Sequence, residues 1–267
     1  MFLRNWGVGH YALVIIVLIL ISMSVVFTLN IQEVKSINRI LEKIDVGDKQ
    51  QLSLKPTPET KSPHAKHIDN LENDSGVRLS RLSKIIVDEE GIRSRPYKDT
   101  VGVPTIGVGR SLKTNGLSTK ELFAIIPDTD LSYILENTRV KNKRVYIDTL
   151  EVANHIFSNS LSSHDIELLL SHDLTQSVND AKSIFGDDVW NQIDAVRKEA
   201  IIDIIFNLGL PHFRSFHKFI ESVKVKDWKT AARELLLSEA ARENYSRYHH
   251  VSLVIDTGDE KYFKEVR

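Results

Sequence analysis

The sequence predicts a mainly helical α+β fold carried behind an N-terminal transmembrane helix, and three stretches predict it. Leu79, Leu82, Ile85 and Ile86 recur at three-to-four residue spacing, the mark of one apolar helix face. Directly after them residues 91–109 turn glycine-rich, with Thr105, Ile106 and Val108 favouring extended backbone, which reads as a hairpin. Near the start, residues 11–29 run for 19 residues without a charge, long enough to cross a bilayer as a helix. An apolar share of 42% over 267 residues is enough for a sizeable core.

In chain order, residues 1–10 precede the span. A cleaved signal peptide or a core helix would also be apolar. Phe27-Thr28-Leu29-Asn30 does not resemble a small-residue cleavage site, however, and one buried face does not need continuous apolarity. Residues 11–29 are therefore read as an uncleaved anchor. Val34, Ile37, Leu41 and Ile44 repeat at three-four-three spacing within a helix over 30–46. That face suits self-association through residues 34–44 as a short coiled-coil-like seam, or equally the membrane surface. From 47 to 75 the run Lys55-Pro56-Thr57-Pro58-Glu59-Thr60-Lys61-Ser62-Pro63 and its polar neighbours lack apolar periodicity, so this is a linker. Its reach is about 30 Å on average and about 100 Å when stretched.

Gly91 stops the helix that carries Leu79 to Ile86 and leaves Glu90 at its C-terminus. A carboxyl there lies at the negative end of the macrodipole and, when partly buried, is pushed towards its protonated form, which is what a general acid needs. Asp99 falls in the turn Asp99-Thr100-Val101-Gly102, where free backbone N–H groups would keep it ionised and able to orient or deprotonate a water. Two carboxyls whose environments push their pKa values apart are the equipment for breaking a glycosidic bond. On residue types alone, a helix end beside a solvated turn is the commoner meaning of such a pair.

The full pattern is more specific. Glu90, Asp99 and Thr105 stand in E-G-x-R-x-x-x-Y-K-D-T-x-G-x-x-T-I-G-x-G, which resembles the catalytic segment of the phage-type lysozymes, the muramidase endolysins that cut bacterial peptidoglycan. Residues 193–209, from Ile193-Asp194-Ala195 to Phe206-Asn207-Leu208-Gly209, are similar to the family's long central helix and its F-N/Q-x-G ending. The resemblance implies a two-lobed lysozyme-like domain over residues 76–267, a small β-hairpin lobe plus a helical lobe. Carried over residue by residue, it implies Glu90 as the acid that protonates the leaving sugar oxygen. Asp99 and Thr105 would hold the attacking water on the opposite face, with inversion at the anomeric carbon. The bond cut would be the β-1,4 link between N-acetylmuramic acid and N-acetylglucosamine. Phe206 and Asn207 would stand at the sugar cleft, Asn207 through its amide, although core packing is the commoner role for a residue such as Phe206. Some members carry His just after T-I-G-x-G, where this chain has Arg110. A guanidinium near Glu90 would favour its ionised form and oppose the acid role unless it points away or pairs with an aspartate. Arg247 fits the arginine that the family places beside the acid.

Residues 112–160 run about twenty residues longer than the compact family pattern and read as an insertion elaborating the surface. Within it Leu117 to Ile126 reads as helix, Pro127-Asp128 as its end, and Lys143 to Ile147 as a strand. Ser162 and Asp165 cap a helix that opens with Ile166, Leu169 and Leu170. The resemblance places this helix between the lobes. Phe213 to Ile220 and Trp228 to Leu237 make two further short helices, and the tail after Tyr262 is charged.

A net charge of −1 argues against nucleic acid as a partner. The ten histidines form no ligand pattern, so no metal and no other cofactor is expected. The expected partners are peptidoglycan and, through residues 11–29, the inner membrane. Arg4 precedes the span while Lys35, Arg39 and Lys43 follow it, a bias that would keep the large part cytoplasmic. Long domains translocate largely regardless of charge, and the implied substrate lies outside the inner membrane. The expectation is thus a single-pass protein of the host bacterial inner membrane with its catalytic domain in the periplasm. Signal-arrest-release members use spans rich in Gly and Ala; this one is dominated by Ile, Leu and Val and has no Gly. Each buried CH₂ holds it in lipid by about 0.8 kcal/mol, so permanent tethering is expected. The alternative is a tethered peptidoglycan-binding or regulatory module with a lysozyme-like but inactive cleft, for which Arg110 and the insertion speak.

Overall fold

The computed structural model describes residues 75–127 and 130–263 together with Glu72. The anchor over 11–29, the helix over 30–46 with its 34–44 seam, most of the linker and residues 264–267 lie outside the described residues. Among the described residues no helix is long and apolar enough to cross a membrane.

Helix α1 (Leu79–Glu90) buries Leu79, Leu82, Ile85 and Ile86, the face its periodicity predicts. Its first turn is capped from outside, by Glu72 Oε1 accepting from Ser80 N (2.6 Å) and Ser80 Oγ (2.7 Å). Gly91 ends it with φ 71°, and the Gly91 N–H donates to Val87 O at 2.8 Å. A side chain would be strained at that φ. Arg78 and Arg81 both reach the fully buried Glu199 carboxylate, and Arg78 also meets Glu260 at 2.6 Å. The start of α1 is thereby fastened to the helical lobe while its last residue, Glu90, extends towards the small lobe.

The small lobe holds two three-stranded antiparallel sheets. In the first, β1 (Arg93–Lys98) pairs with β2 (Pro104–Gly107), with Tyr97 opposite Thr105, and β2 pairs with β3 (Arg110–Ser111). In the second, β6 (Arg144–Tyr146) lies between β4 (Leu117–Ser118) and β5 (Arg139–Lys141). Helices α2 (Thr119–Ile125), α3 (Leu131–Asn137) and α4 (Leu150–Ile156) accompany them.

The insertion therefore does more than elaborate a surface. Leu117, Leu122, Val145, Ile147 and Ala153 are each at most 2% exposed and belong to the core. The helix expected from Leu117 begins two residues later, because Leu117 and Ser118 pair with Val145 and Arg144. Ser118 then caps α2 in a reciprocal box with Glu121.

Helix α5 (Ser163–Gln192) starts at the predicted Ser162/Asp165 box and packs against β2, α2 and α6. It is the shared wall of the two lobes. Helix α6 (Ala195–Arg214) is capped by Asp194 and breaks at Gly209. Its Ile201, Ile202, Ile204 and Ile205 are buried, as an all-round apolar helix in a bundle must be. Helices α7 (His217–Lys224), α8 (Trp228–Leu236), α9 (Glu239–Glu243) and α10 (Tyr245–Thr257), with the 3₁₀ turn Glu260–Tyr262, complete the lobe. Two of these helices, α9 and α10, go beyond the pair the sequence predicts. The tail is packed as far as Phe263, which is 5% exposed beneath Arg81.

Candidate active site

Glu90 is held from the helical lobe. Helix α10 sends Arg247 Nη1 to Glu90 Oε1 at 2.5 Å, and α6 sends Asn207 Nδ2 to the same oxygen at 3.3 Å. Tyr248 donates its hydroxyl to Asn207 Oδ1 at 2.7 Å. That bond fixes the amide with its nitrogen towards Glu90. Burial, with Asp203, Glu90 and Glu243 adding to it and Arg247 opposing, pushes the Tyr248 phenol well above its ordinary value, so the donor stays protonated. With two donors on Oε1, the proton of a neutral Glu90 belongs on Oε2. The far side of that oxygen is backbone: a Cβ added at Gly109 would lie 3.0 Å from it.

Behind Glu90 lies a buried ion pair. Arg247 Nη2 donates to Asp203 Oδ1 at 2.7 Å, and the two side chains are 4% and 3% exposed. Burial works against the guanidinium charge, but Asp203 first and Glu90 second raise its pKa further, so Arg247 is a permanent cation.

Asp99 sits at the tip between β1 and β2. Its Oδ1 accepts from Val101 N at 3.0 Å and Val103 N at 2.7 Å, the Asx turn expected there, which leaves Oδ2 for another donor. Thr105, 2% exposed on β2, donates Oγ1 to Val103 O at 3.1 Å. Tyr97, cross-strand from Thr105, has its phenol raised by burial first and then by the charges of Glu90 and Asp99, which places it within electrostatic reach of both carboxyls.

A cleft of about 730 Å³ runs between the lobes from Gly109. Arg144 and Tyr146 line it from the small lobe, Gln176 and Asp180 from α5, and Phe206 and Pro211 from α6. Phe206 is half-buried, so it serves both the core and the cleft wall. Asn207 is committed to Glu90 and Tyr248, so its amide orients the Glu90 carboxyl.

Of the two placements the sequence left open for Arg110, the structure has the second: its guanidinium is taken up by other carboxylates. The residue opens β3 directly after the turn at Gly109 and lines the same cleft. There it pairs with Glu121 (2.8 Å), donates to Gly116 O (3.1 Å) and approaches Asp173 (3.6 Å), at 3% exposure. The guanidinium that meets Glu90 is that of Arg247.

Sequence reasoning missed Asp203 and Tyr248. A signal for the first was present: a lone carboxylate inside Ile201-Ile202-Asp203-Ile204-Ile205, four residues before Asn207 and so on the same helix face. A charge in such a run is buried only with a partner. Tyr248 gave no signal of its own beyond following Arg247.

The fold sets one carboxyl, Glu90, at a helix end and another, Asp99, in a hairpin turn; neither lines the interlobe cleft itself, which Gly109 borders. The chain matches the model of the phage lysozyme family over residues 87–246 and belongs to that family. It is a muramidase, and its substrate is peptidoglycan. Among the proteins it is similar to are two from Dictyostelium discoideum, named "Probable T4-type lysozyme 2" and "Probable T4-type lysozyme 1". They are 26% and 24% identical to it, and each match covers 70% of this chain and 99% of the relative. The pre-baseplate central spike protein Gp5 of Enterobacteria phage T4 is 24% identical over 77% of this chain but only 33% of its own length.

Proposed function

We propose that this lysozyme is a membrane-anchored endolysin of the host inner membrane, in which Glu90 is the general acid and Asp99, with Thr105, holds the attacking water. The observation that carries the catalytic part is the convergence of Arg247 Nη1 and Asn207 Nδ2 on Glu90 Oε1. With Oε1 saturated by donors, a proton on Oε2 can be handed to the glycosidic oxygen between N-acetylmuramic acid and N-acetylglucosamine. Asp99 Oδ2 and Thr105 Oγ1 would each accept a hydrogen bond from the water, Asp99 Oδ1 being taken by two N–H groups and the Thr105 hydrogen by Val103 O; Asp99 would receive one proton, the other staying on the attacking water oxygen. Its lone pair is then left for the anomeric carbon, and attack on the face opposite Glu90 inverts the configuration.

The anchor over 11–29, the periplasmic placement of the domain and a role in host lysis rest on the uncharged run, the linker and the substrate's location. Self-association through 34–44 rests on the spacing of Val34, Ile37, Leu41 and Ile44.

The test is clearing of outer-membrane-permeabilised cells by the full chain in mild detergent. Glu90→Gln should abolish it, and NMR of a soluble muropeptide should show the α-anomer first. Clearing by Glu90→Gln at the wild-type rate would end the acid assignment.

A further inference from the structure

A cation in direct contact with a general acid is a problem for the chemistry. An opposite charge at contact distance lowers a carboxyl's pKa by about 1–3 units, and Arg247 Nη1 is 2.5 Å from Glu90 Oε1. Left alone, such an arginine would keep Glu90 ionised at the pH where it has to donate. The chain places a third charge on the other side. Asp203 occupies Arg247 Nη2 at 2.7 Å and Nε at 3.4 Å, so that only Nη1 is turned to Glu90. Asp203 and Arg247 are buried almost completely, where solvent screens them little.

We infer that Asp203 is a positioning residue for the lysozyme reaction: it holds and neutralises Arg247, so that Glu90 can carry its proton. When Glu90 is protonated the buried group is a closed neutral pair, Asp203 with Arg247. When Glu90 gives its proton away, Arg247 is already oriented to receive the new carboxylate. Asp203 thus permits the protonated state, and Arg247 stabilises the ionised one produced by the reaction. Asp203 touches no reacting atom; it acts through Arg247.

The other groups facing this cluster do not supply the balance. From α6 Asn207 is neutral. From α10 Tyr248, and from β1 Tyr97, are phenols raised above their ordinary value, Tyr248 by burial against Arg247 and Tyr97 by burial and Glu90. From α9 Glu243 acts on Tyr248. Asp203 is the anion that contacts Arg247 from behind.

The inference rests on Glu90 being the acid, and the experiment separates the two. Activity of the full chain in detergent is measured against pH for wild type, Asp203→Asn, Arg247→Gln, the double variant and Glu90→Gln. With Asp203→Asn the alkaline limb of the profile should move down by about one pH unit, a tenfold loss above the limb and little loss below it. Arg247→Gln, which leaves Asp203 charged behind Glu90, should move the limb up. The double variant should return it near the wild-type position. This second pair keeps the test readable if Asp203→Asn does not fold. Equal losses at every pH with the limb unmoved in both single variants would make Asp203 structural only. Full activity of Glu90→Gln would instead remove the acid assignment on which the inference stands.

Discussion

At the scale of single residues, the site depends on how little space there is around Glu90 Oε2. Gly109 has φ 69°, and a Cβ there would come within 3.0 Å of that oxygen. Gly109→Ala should cost about 1–2 kcal/mol for the left-handed backbone, seen as a small drop in Tm, while activity falls by a much larger factor because the proton-bearing oxygen is displaced. Equal, modest effects on both would show that Glu90 has room to move. Tyr248→Phe tests the opposite oxygen. Losing the hydroxyl on Asn207 Oδ1 lets the amide turn, and activity should fall by up to about tenfold, the worth of one hydrogen bond, with the fold unchanged by circular dichroism. The family was legible because the spacing of Glu90, Asp99 and Thr105 within a glycine-rich segment is specific. For Arg110 both placements stayed open in sequence, because adjacency to Gly109 does not say which carboxylate it meets: its partner Glu121 lies eleven residues on, in the insertion.

Among elements, the join between the small lobe and α5 is ionic. Arg110 from β3, Glu121 from α2, and His172 and Asp173 from α5 form one cluster, buried at Arg110 and Glu121 and open at His172. Burial would raise Glu121, but His172, Arg110 and the Ser118 N–H outweigh it and hold the carboxyl far below its ordinary range. Glu121 thus contributes stability that is present above its unfolded pKa and is lost as acid protonates it. Glu121→Gln leaves the buried Arg110 with a weakened partner, and should destabilise by about 3 kcal/mol in thermal unfolding at pH 7. Asp173 goes the other way. Burial pushes it up to about 6, with Arg110 only partly opposing. The native state then binds more protons than the unfolded chain between about pH 4 and 6, so this group's contribution to stability falls as pH rises through that window. Asp173→Asn, which mimics the protonated form, should raise Tm by about 3 °C at pH 7 and leave it unchanged below pH 4. A variant less stable than wild type at pH 7 would show that the attraction to Arg110 dominates. The cluster was illegible in sequence because Glu121 lies in the insertion, 51 residues from His172. Helix α10 was hidden for a related reason. It buries Arg247, Tyr248, Val251, Ser252, Val254 and Ile255 on one broad face, and the polar Arg247 and Ser252 there break the apolar stripe that would mark it.

For the whole molecule, the two-lobed arrangement was legible because α1 and α6 carry clear patterns and the resemblance supplied their order. What the described residues leave to the sequence is where the enzyme works. Residues 11–29 as a helix would span about 28 Å, close to the hydrocarbon thickness of a bilayer, and residues 47–75 as a linker would give the domain about 30 Å of average reach. Two physical rules disagree about the side on which that domain ends. The charges of Lys35, Arg39 and Lys43 after the span against Arg4 before it favour the cytoplasm. The substrate, and the weakness of the charge rule for long domains, favour the periplasm. The full chain, expressed in bacteria, should stay in the membrane pellet through alkaline carbonate extraction. In spheroplasts, added protease should digest the domain. Replacing Leu18 and Leu20 with arginine should release the protein from the pellet, since each charge at the helix centre costs about 2.5–3.5 kcal/mol. Protection of the domain from protease in intact spheroplasts, with digestion only after lysis, would mean that the charge bias wins; the enzyme would then meet its substrate only once the membrane had been opened by some other agent.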